Sequence, residues 1–299
     1  MLSSGPPAHP ACCRGVLVLL ATLLLSAPLD ADSNSPSIVT LDWTQAETLV
    51  ALGIVPLGVA QLEAYHDWVG EPRLPESVVD LGLRSQPNLE LMADLSPDHI
   101  LISPMFANLA LRLSRIAPVS NLALYTPQGD TWQQIRQLTR EIGDLVDRAG
   151  EAEALIEATE TRLEDLKSRL PDNTAPLLVV QFMDARHVRV FGANGLYQAV
   201  LERLGLTNAW TGTTNAWGFS LVGIEQLAGI EARLVVVEPY PAGVPAELEQ
   251  SGLWQQQTSV RDGSLLTLPP VWSFGALPSA HRFGEQLVAA LEEATHGDD

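Results

Sequence analysis

A helix-turn-strand cassette occurs in both halves of this chain, in the same order, and constrains the fold more than any other feature. The first copy is Leu49-Val-Ala-Leu52-Gly53-Ile54-Val-Pro56-Leu-Gly58 and the second is Leu201-Glu-Arg-Leu204-Gly205-Leu206-Thr-Asn208-Ala-Trp210. A second pair follows each: Leu89–Asp98 leads into Ile100-Leu-Ile102, and Ile224–Arg233 leads into Leu234-Val-Val-Val237. Two similar α/β units imply two lobes of related build with a cleft between them, and such clefts are where small ligands bind. The 299 residues suffice for two ordinary domains.

Strand-like runs at Ile38–Leu41, Ile54–Ala60, Val78–Leu81, His99–Ile102, Leu177–Phe182, Val188–Phe191, Leu234–Val237 and Leu265–Leu268 alternate with helical patterns. That alternation predicts βα units and a largely parallel sheet. Thr44 and Glu47 form a capping-box pattern that opens the helix ending at Gly53. The segment Tyr65–Pro72 reads as irregular and outside the core, and Ser279 as the cap of the last helix. From Asp130 to Leu170 the pattern is helical with a break at Ala149-Gly150. Its second part carries apolar residues at Leu155, Ala158, Leu163, Leu166 and Leu170, and at roughly 30 Å it suits a rigid connector between lobes. The expected division is a leader at 1–31, an N-terminal lobe at 36–148, the connector at 150–170 and a C-terminal lobe at 175–299.

The leader is inferred from Arg14, the apolar run Gly15–Leu25 and the small residues Ser26, Ala27 and Ala31. This is the pattern of a cleavable secretory signal whose apolar run is too short to cross a bilayer, with cleavage expected after Ala31. Cys12 and Cys13 lie ahead of that run, where they leave with the signal and are badly placed for lipidation. The mature chain is then an exported protein without disulfides, which requires a substantial apolar core; 46% hydrophobic residues can supply one. Against 17 Lys+Arg stand 36 Asp+Glu, a formal net charge of −19. Such a surface repels phosphate backbones and anionic lipid, so neither nucleic acid nor a membrane surface is an expected partner.

Nothing in the chain pairs a nucleophile with a base: there is no Gly-x-Ser-x-Gly, no phosphate-binding glycine loop and no His-Glu-x-x-His. The chain therefore reads as a non-enzyme without catalytic residues. His66, His99, His187, His281 and His296 have no helical metal-ligand spacing. No metal site is assigned, the alternative being convergence of His66, His187 and His281 with a carboxylate from distant loops. Large aromatic residues instead occupy loop positions: Trp43, Trp68, Phe106, Trp217, Trp272 and Phe274. Most follow strand ends, where open α/β sheets bind ligands. Each can equally plug its own lobe's core, but as a set spread over both halves they suggest an aromatic groove. Arg84, just after a strand, is either one partner of a surface ion pair with Asp80 or Glu90 or a planar donor fork aimed at ligand oxygens.

Several longer stretches carry a resemblance: Leu52–Ala60, Trp68-Val-Gly-Glu-Pro72, Asp80-Leu-Gly-Leu-Arg84, Arg115-Ile-Ala-Pro118, Val190-Phe-Gly192 and Asn208-Ala-Trp210 through Asn215-Ala-Trp217-Gly218. In these the chain resembles the periplasmic ferric hydroxamate (ferrichrome-type) siderophore-binding proteins over nearly its whole mature length. The resemblance implies a bilobed class III periplasmic binding fold, two α/β lobes joined by one long helix. It implies capture of a ferric siderophore in a shallow aromatic groove and delivery to an ABC permease of the inner membrane by a periplasmic monomer. No cofactor is implied, because iron is held by the siderophore. By the same resemblance Arg84 contacts hydroxamate oxygens, Trp43, Trp68, Trp217 and Trp272 line the groove, and Glu225 docks on the permease. Phe106 and Phe274 stand where the family has tyrosines and Phe219 where it has a small polar residue, so the groove is expected to be poorer in hydroxyl donors. The N-lobe docking position, around Leu111-Arg112, has no acid. Other readings on the same fold are a carrier of a catecholate siderophore, haem or a corrinoid, and an enzyme reusing the scaffold.

Overall fold

In the computed structural model, which describes Met1 and residues 35–126, 129–171 and 173–296, the chain builds two five-stranded sheets. The expected leader at 1–31 with its cysteines lies, Met1 apart, outside the described residues. The N-terminal sheet contains β1 (Ile38–Thr40), β2 (Gly58–Val59), β3 (Val79–Asp80), β6 (His99–Ile102) and β7 (Val119–Asn121), in the order β3-β2-β1-β6-β7 and parallel throughout. A small hairpin of β4 (Gly82–Leu83) and β5 (Gln86–Pro87) lies beyond β3 and carries Arg84 in its turn. Helices α1 (Trp43–Ala51), α2 (Leu62–Trp68), α3 (Leu89–Asp94) and α4 (Ala110–Leu113) connect these strands.

The C-terminal sheet contains β8 (Leu177–Phe182), β9 (His187–Phe191), β10 (Phe219–Gly223), β11 (Arg233–Val237) and β12 (Leu266–Leu268). Its order is β10-β9-β8-β11-β12, and it is mixed rather than largely parallel, because β8, β9 and β10 meander antiparallel before β11 and β12 join in parallel. The cassette repeat survives as sheet order: β2-β1-β6-β7 in one lobe corresponds to a lone bridge at Asn208, then β8-β11-β12, in the other. The β9–β10 hairpin occupies the edge that β2 takes in the N-terminal sheet, which leaves Asn208 only a single parallel bridge to Leu177.

Between the sheets run α5 (Thr131–Leu145) and α6 (Ala149–Ser168), and the C-terminal half adds α7 (Leu196–Leu204), α8 (Val244–Gln250), α9 (Gly252–Gln255), α10 (Thr258–Arg261) and α11 (Leu277–His296). The helical break falls at Val146-Asp147-Arg148, with Asp147 at φ 56°, ahead of the expected Ala149-Gly150. The buried stripe of α6 is Ala152, Ile156, Thr159, Leu163 and Leu166, with Leu155 packed partly buried at its margin, whereas Ala158 is exposed and does not belong to it. That stripe faces α5, α7 and α11. Gly284 lets α11 come close, since a Cβ there would fall 2.7 Å from a Leu163 methyl. The result is one apolar core that joins Ile38 and Leu101 of the first sheet, through α5, α6 and α11, to Val179 and Val235 of the second.

Three local expectations are corrected. Asp42, not Thr44, caps α1: its Oδ1 accepts from the Thr44 amide at 2.9 Å. Glu47 is fully buried and turned away from the cap, accepting from the Ala276 amide and from the Ser279 hydroxyl. Ser279 therefore lies within α11 and bonds Glu47 instead of capping the helix. Tyr65–Trp68 belongs to α2, and Tyr65 is fully buried, packed against Trp43 and donating to the Pro72 carbonyl.

Candidate functional site

The C-terminal ends of β1 and β6, the β4–β5 turn, α2, the β9–β10 hairpin and the segment after β12 together surround a groove of about 540 Å³. Its position at strand ends, between two α/β sheets, is the usual ligand site of such folds. Trp43, Trp68, Arg84, Trp217, Trp272 and Phe274 all line it, as do Asp42, Met105, Tyr125, Arg189 and Phe219.

Arg84 is not a surface ion-pair partner of Asp80 or Glu90. Its side chain is only 13% exposed; Nε donates to the Leu41 carbonyl at 3.0 Å and one terminal nitrogen lies 3.7 Å from Asp42 Oδ2. Its guanidinium sits 4.4 Å from the Trp43 ring centre, 5.0 Å from Phe106 and 5.8 Å from Trp272. Burial lowers its pKa and Asp42 opposes that shift. With Nε bonded inward and aromatic faces around it, the guanidinium is held at the groove floor as a planar donor.

The tryptophans divide by role. Trp43 and Trp272 are largely buried and meet edge to face at 4.9 Å, each with its indole nitrogen bonded, to the Ala60 carbonyl and to the Thr44 hydroxyl. Trp68 is half-buried, and Trp217 is 43% exposed on the opposite lip. Phe274 packs edge to face on Trp272 and tilts against Phe219. Phe106 is the exception: it is 4% exposed, sits in the core with Leu41, Leu81 and Ile102, and reaches the groove only through the Arg84 guanidinium above it. Its neighbour Met105 is the exposed one and occupies the groove wall.

The groove has a tightly bonded base where the lobes meet. Thr44 donates to the Phe274 carbonyl at 2.8 Å and Tyr125 to the Gly275 carbonyl at 2.8 Å. Arg282 of α11 donates to the carbonyls of Val69, Glu71 and Pro270. Beneath these, burial raises the Glu47 carboxyl to about pH 7, against the opposing bonds from Ser279 and Ala276. Asp42, Met105, Tyr125 and Arg189 were not singled out from sequence. Of these only Arg189 left a signal, as the polar member of the strand His187-Val-Arg-Val-Phe191, where the valines alternate with it.

Glu225 is exposed, in a short 3₁₀ turn (Ile224–Leu227) directly after β10, and Leu111 and Arg112 are exposed on α4. His187 pairs with Asp184 and His281 with Glu285, His99 bonds Ser120, and His66 meets Tyr65 edge to face. The structure does not gather His66, His187 and His281: no group of three or more His, Cys, Asp or Glu placed to hold a metal occurs among the described residues. Among the described residues no helix is long and apolar enough to cross a membrane.

The family model for periplasmic binding proteins matches residues 38–271. The iron(3+)-hydroxamate-binding protein FhuD of Escherichia coli K12 is 37% identical over 256 residues, 85% of this chain and 86% of that protein. The Fe(3+) dicitrate-binding periplasmic protein FecB of the same organism is 29% identical over 75% of this chain and 73% of its own. The crystal structure of the siderophore-binding protein FhuD from Vibrio cholerae with bound Fe³⁺–Desferal superposes with a TM-score of 0.81 at 30% identity, covering 86% of this chain and 97% of that one. The chain belongs to the periplasmic binding protein family, in its bilobed class with two α/β lobes joined by one long helix.

Proposed function

We propose that this protein captures ferric hydroxamate siderophores in the groove between its lobes and delivers them to an ABC permease of the inner membrane. The observation that carries this reading is Arg84: a guanidinium fixed by Leu41 and Asp42 on the floor of an aromatic groove. Iron-bound hydroxamate oxygens carry partial negative charge on an otherwise organic surface, so a chelate of this kind matches one planar donor surrounded by rings. Trp43, Trp272 and Phe274 form the aromatic base in this reading, Trp68 and Trp217 the lips, and Phe106 supports Arg84 from below. Iron enters only as cargo inside the chelate.

The protein works in the periplasm as a monomer in this proposal, with lobes at 36–148 and 175–299 about the connector 150–170, and with Glu225 on the permease-facing surface. The test is a titration of the purified mature chain with ferrichrome, ferric Desferal, a ferric tris-catecholate and haem, followed by quenching of tryptophan fluorescence. Saturable quenching by the hydroxamates is expected, reduced at least about tenfold in affinity in Arg84→Ala. Arg84→Lys, which keeps the charge and loses the fork, should fall between. Tighter binding of haem or the catecholate than of any hydroxamate would overturn the substrate assignment. Unchanged affinity in folded Arg84→Ala would remove Arg84 from the site.

A further inference from the structure

The groove holds a second guanidinium whose environment differs from that of Arg84. Arg189 stands on β9 directly across from Gln181 of β8, and its terminal nitrogen donates to the Gln181 side-chain oxygen at 3.4 Å. The flanking Val188 and Val190 turn into the core on the other face of the sheet, which leaves Arg189 facing the groove. Its guanidinium lies 5.1 Å from the Phe219 ring centre and 5.4 Å from Phe274. Arg84 has a carboxylate at hand in Asp42; Arg189 has a neutral amide and two phenyl rings. Among the described residues no carboxylate forms an ion pair with it; burial lowers its pKa, opposed by the Tyr197 hydroxyl.

A half-buried cation without a counter-charge is costly to hold in an apolar groove, and the cost is recovered when an anion arrives. A ferric tris-hydroxamate core is neutral, since three hydroxamates balance the metal, and it offers no full charge to a second guanidinium. A chelate in which a doubly deprotonated α-hydroxycarboxylate replaces one hydroxamate, or in which a further carboxylate hangs free beside the metal, does offer one. Arg189 is also placed where a planar fork can take both oxygens of such a group while its rings cover the rest. The protein as a whole carries a formal charge of −19, so a cationic groove in this chain must act at contact range against a field that repels anions.

Building on the siderophore-carrier reading, we propose that Arg189 is a specificity determinant that selects ferric hydroxamate chelates bearing a carboxylate over neutral tris-hydroxamates. The probes are ferrichrome, which is neutral, and the ferric complex of a citrate-bridged dihydroxamate, which is anionic. Each is titrated by tryptophan quenching into the wild type, Arg189→Leu and Arg189→Gln. The wild type should bind the anionic chelate at least about tenfold more tightly than ferrichrome. In either variant the loss for the anionic chelate should exceed the loss for ferrichrome by about tenfold or more. Equal losses for both chelates, or none, would show that Arg189 only packs against Phe219 and Phe274. Should Arg189→Leu fail to fold, Arg189→Gln, which keeps a polar end for Gln181, decides. A wild type that binds neither chelate overturns the carrier reading itself, whereas one that binds ferrichrome without preferring the anion overturns only the role given to Arg189.

Discussion

Glu47 shows how a single residue can belong to the joint between lobes rather than to the helix that carries it. Its carboxylate bonds the Ala276 amide at 2.7 Å and the Ser279 hydroxyl at 2.6 Å, with Arg282 and Asp42 as the nearby charges. Burial keeps its proton on up to about pH 7 in the folded protein, whereas the unfolded chain releases it near the ordinary 4.5. The folded state then binds more protons between those two values, so the contribution of Glu47 is complete below about 4.5 and is lost as pH rises to about 7. The full shift corresponds to roughly 3 kcal/mol as an upper bound. Glu47→Gln keeps an acceptor for Ala276 and a polar end for Ser279 but cannot ionise. Urea unfolding from pH 4 to 8 should show the wild type losing stability relative to Glu47→Gln across that window; parallel profiles would refute the assignment. From sequence Glu47 had looked like half of a capping box, because its partners lie more than two hundred positions away and no local spacing announces them. Arg84 was legible for the opposite reason: a lone cation after a strand in an acidic chain stands out, although its partners Leu41 and Asp42 do not.

At the scale of elements, α1 ties the groove to the first sheet. Asp42 closes β1, caps α1 with Oδ1 and faces Arg84 with Oδ2, so one side chain sets both the helix start and the charge of the groove floor. Asp42→Asn should keep the cap and lose the charge, while Asp42→Ala loses both. Denaturant midpoints are expected to place the alanine variant about 1 kcal/mol below the asparagine one. Equal stabilities would mean that the cap contributes nothing here. Strands buried on both faces, such as His99–Ile102 and Leu177–Phe182, were read from sequence with their ends in place because continuous apolar runs mark them. β10 was missed: Phe219-Ser-Leu-Val-Gly223 lies next to the groove, is buried only in its second half and follows a loop rich in polar and small residues. Without β10 the antiparallel hairpin could not be seen, and the second lobe looked as parallel as the first. Trp217 stands out as one of the loop aromatics and Phe219 only as a departure from the family pattern, yet it is this hairpin that sets Phe219 beside Arg189 and Trp217 on the same groove.

The cassette repeat pointed to two lobes, and the two sheets answer to it, but the described residues from Ser35 onward form one compact unit. The reason is the shared core: α6 and α11 lie side by side with apolar faces that touch both sheets, and Gly284 brings them together. Above that core the lobes are joined again at the groove, through Thr44 to Phe274, Tyr125 to Gly275, Glu47 to α11 and Arg282 to the Val69–Glu71 carbonyls. A large closing rotation would have to break these bonds together and bend a continuous helix, whereas hinge motions elsewhere are absorbed by a few loop residues. Ligand capture in this molecule is therefore expected to proceed by adjustment of the lips, half-buried Trp68 and exposed Trp217, over a fixed floor. Solution scattering of the mature protein with and without a saturating ferric hydroxamate should give radii of gyration equal to within about 1 Å. A contraction of several ångströms would show that the shared core divides on binding, and that α6 is a hinge rather than a strut.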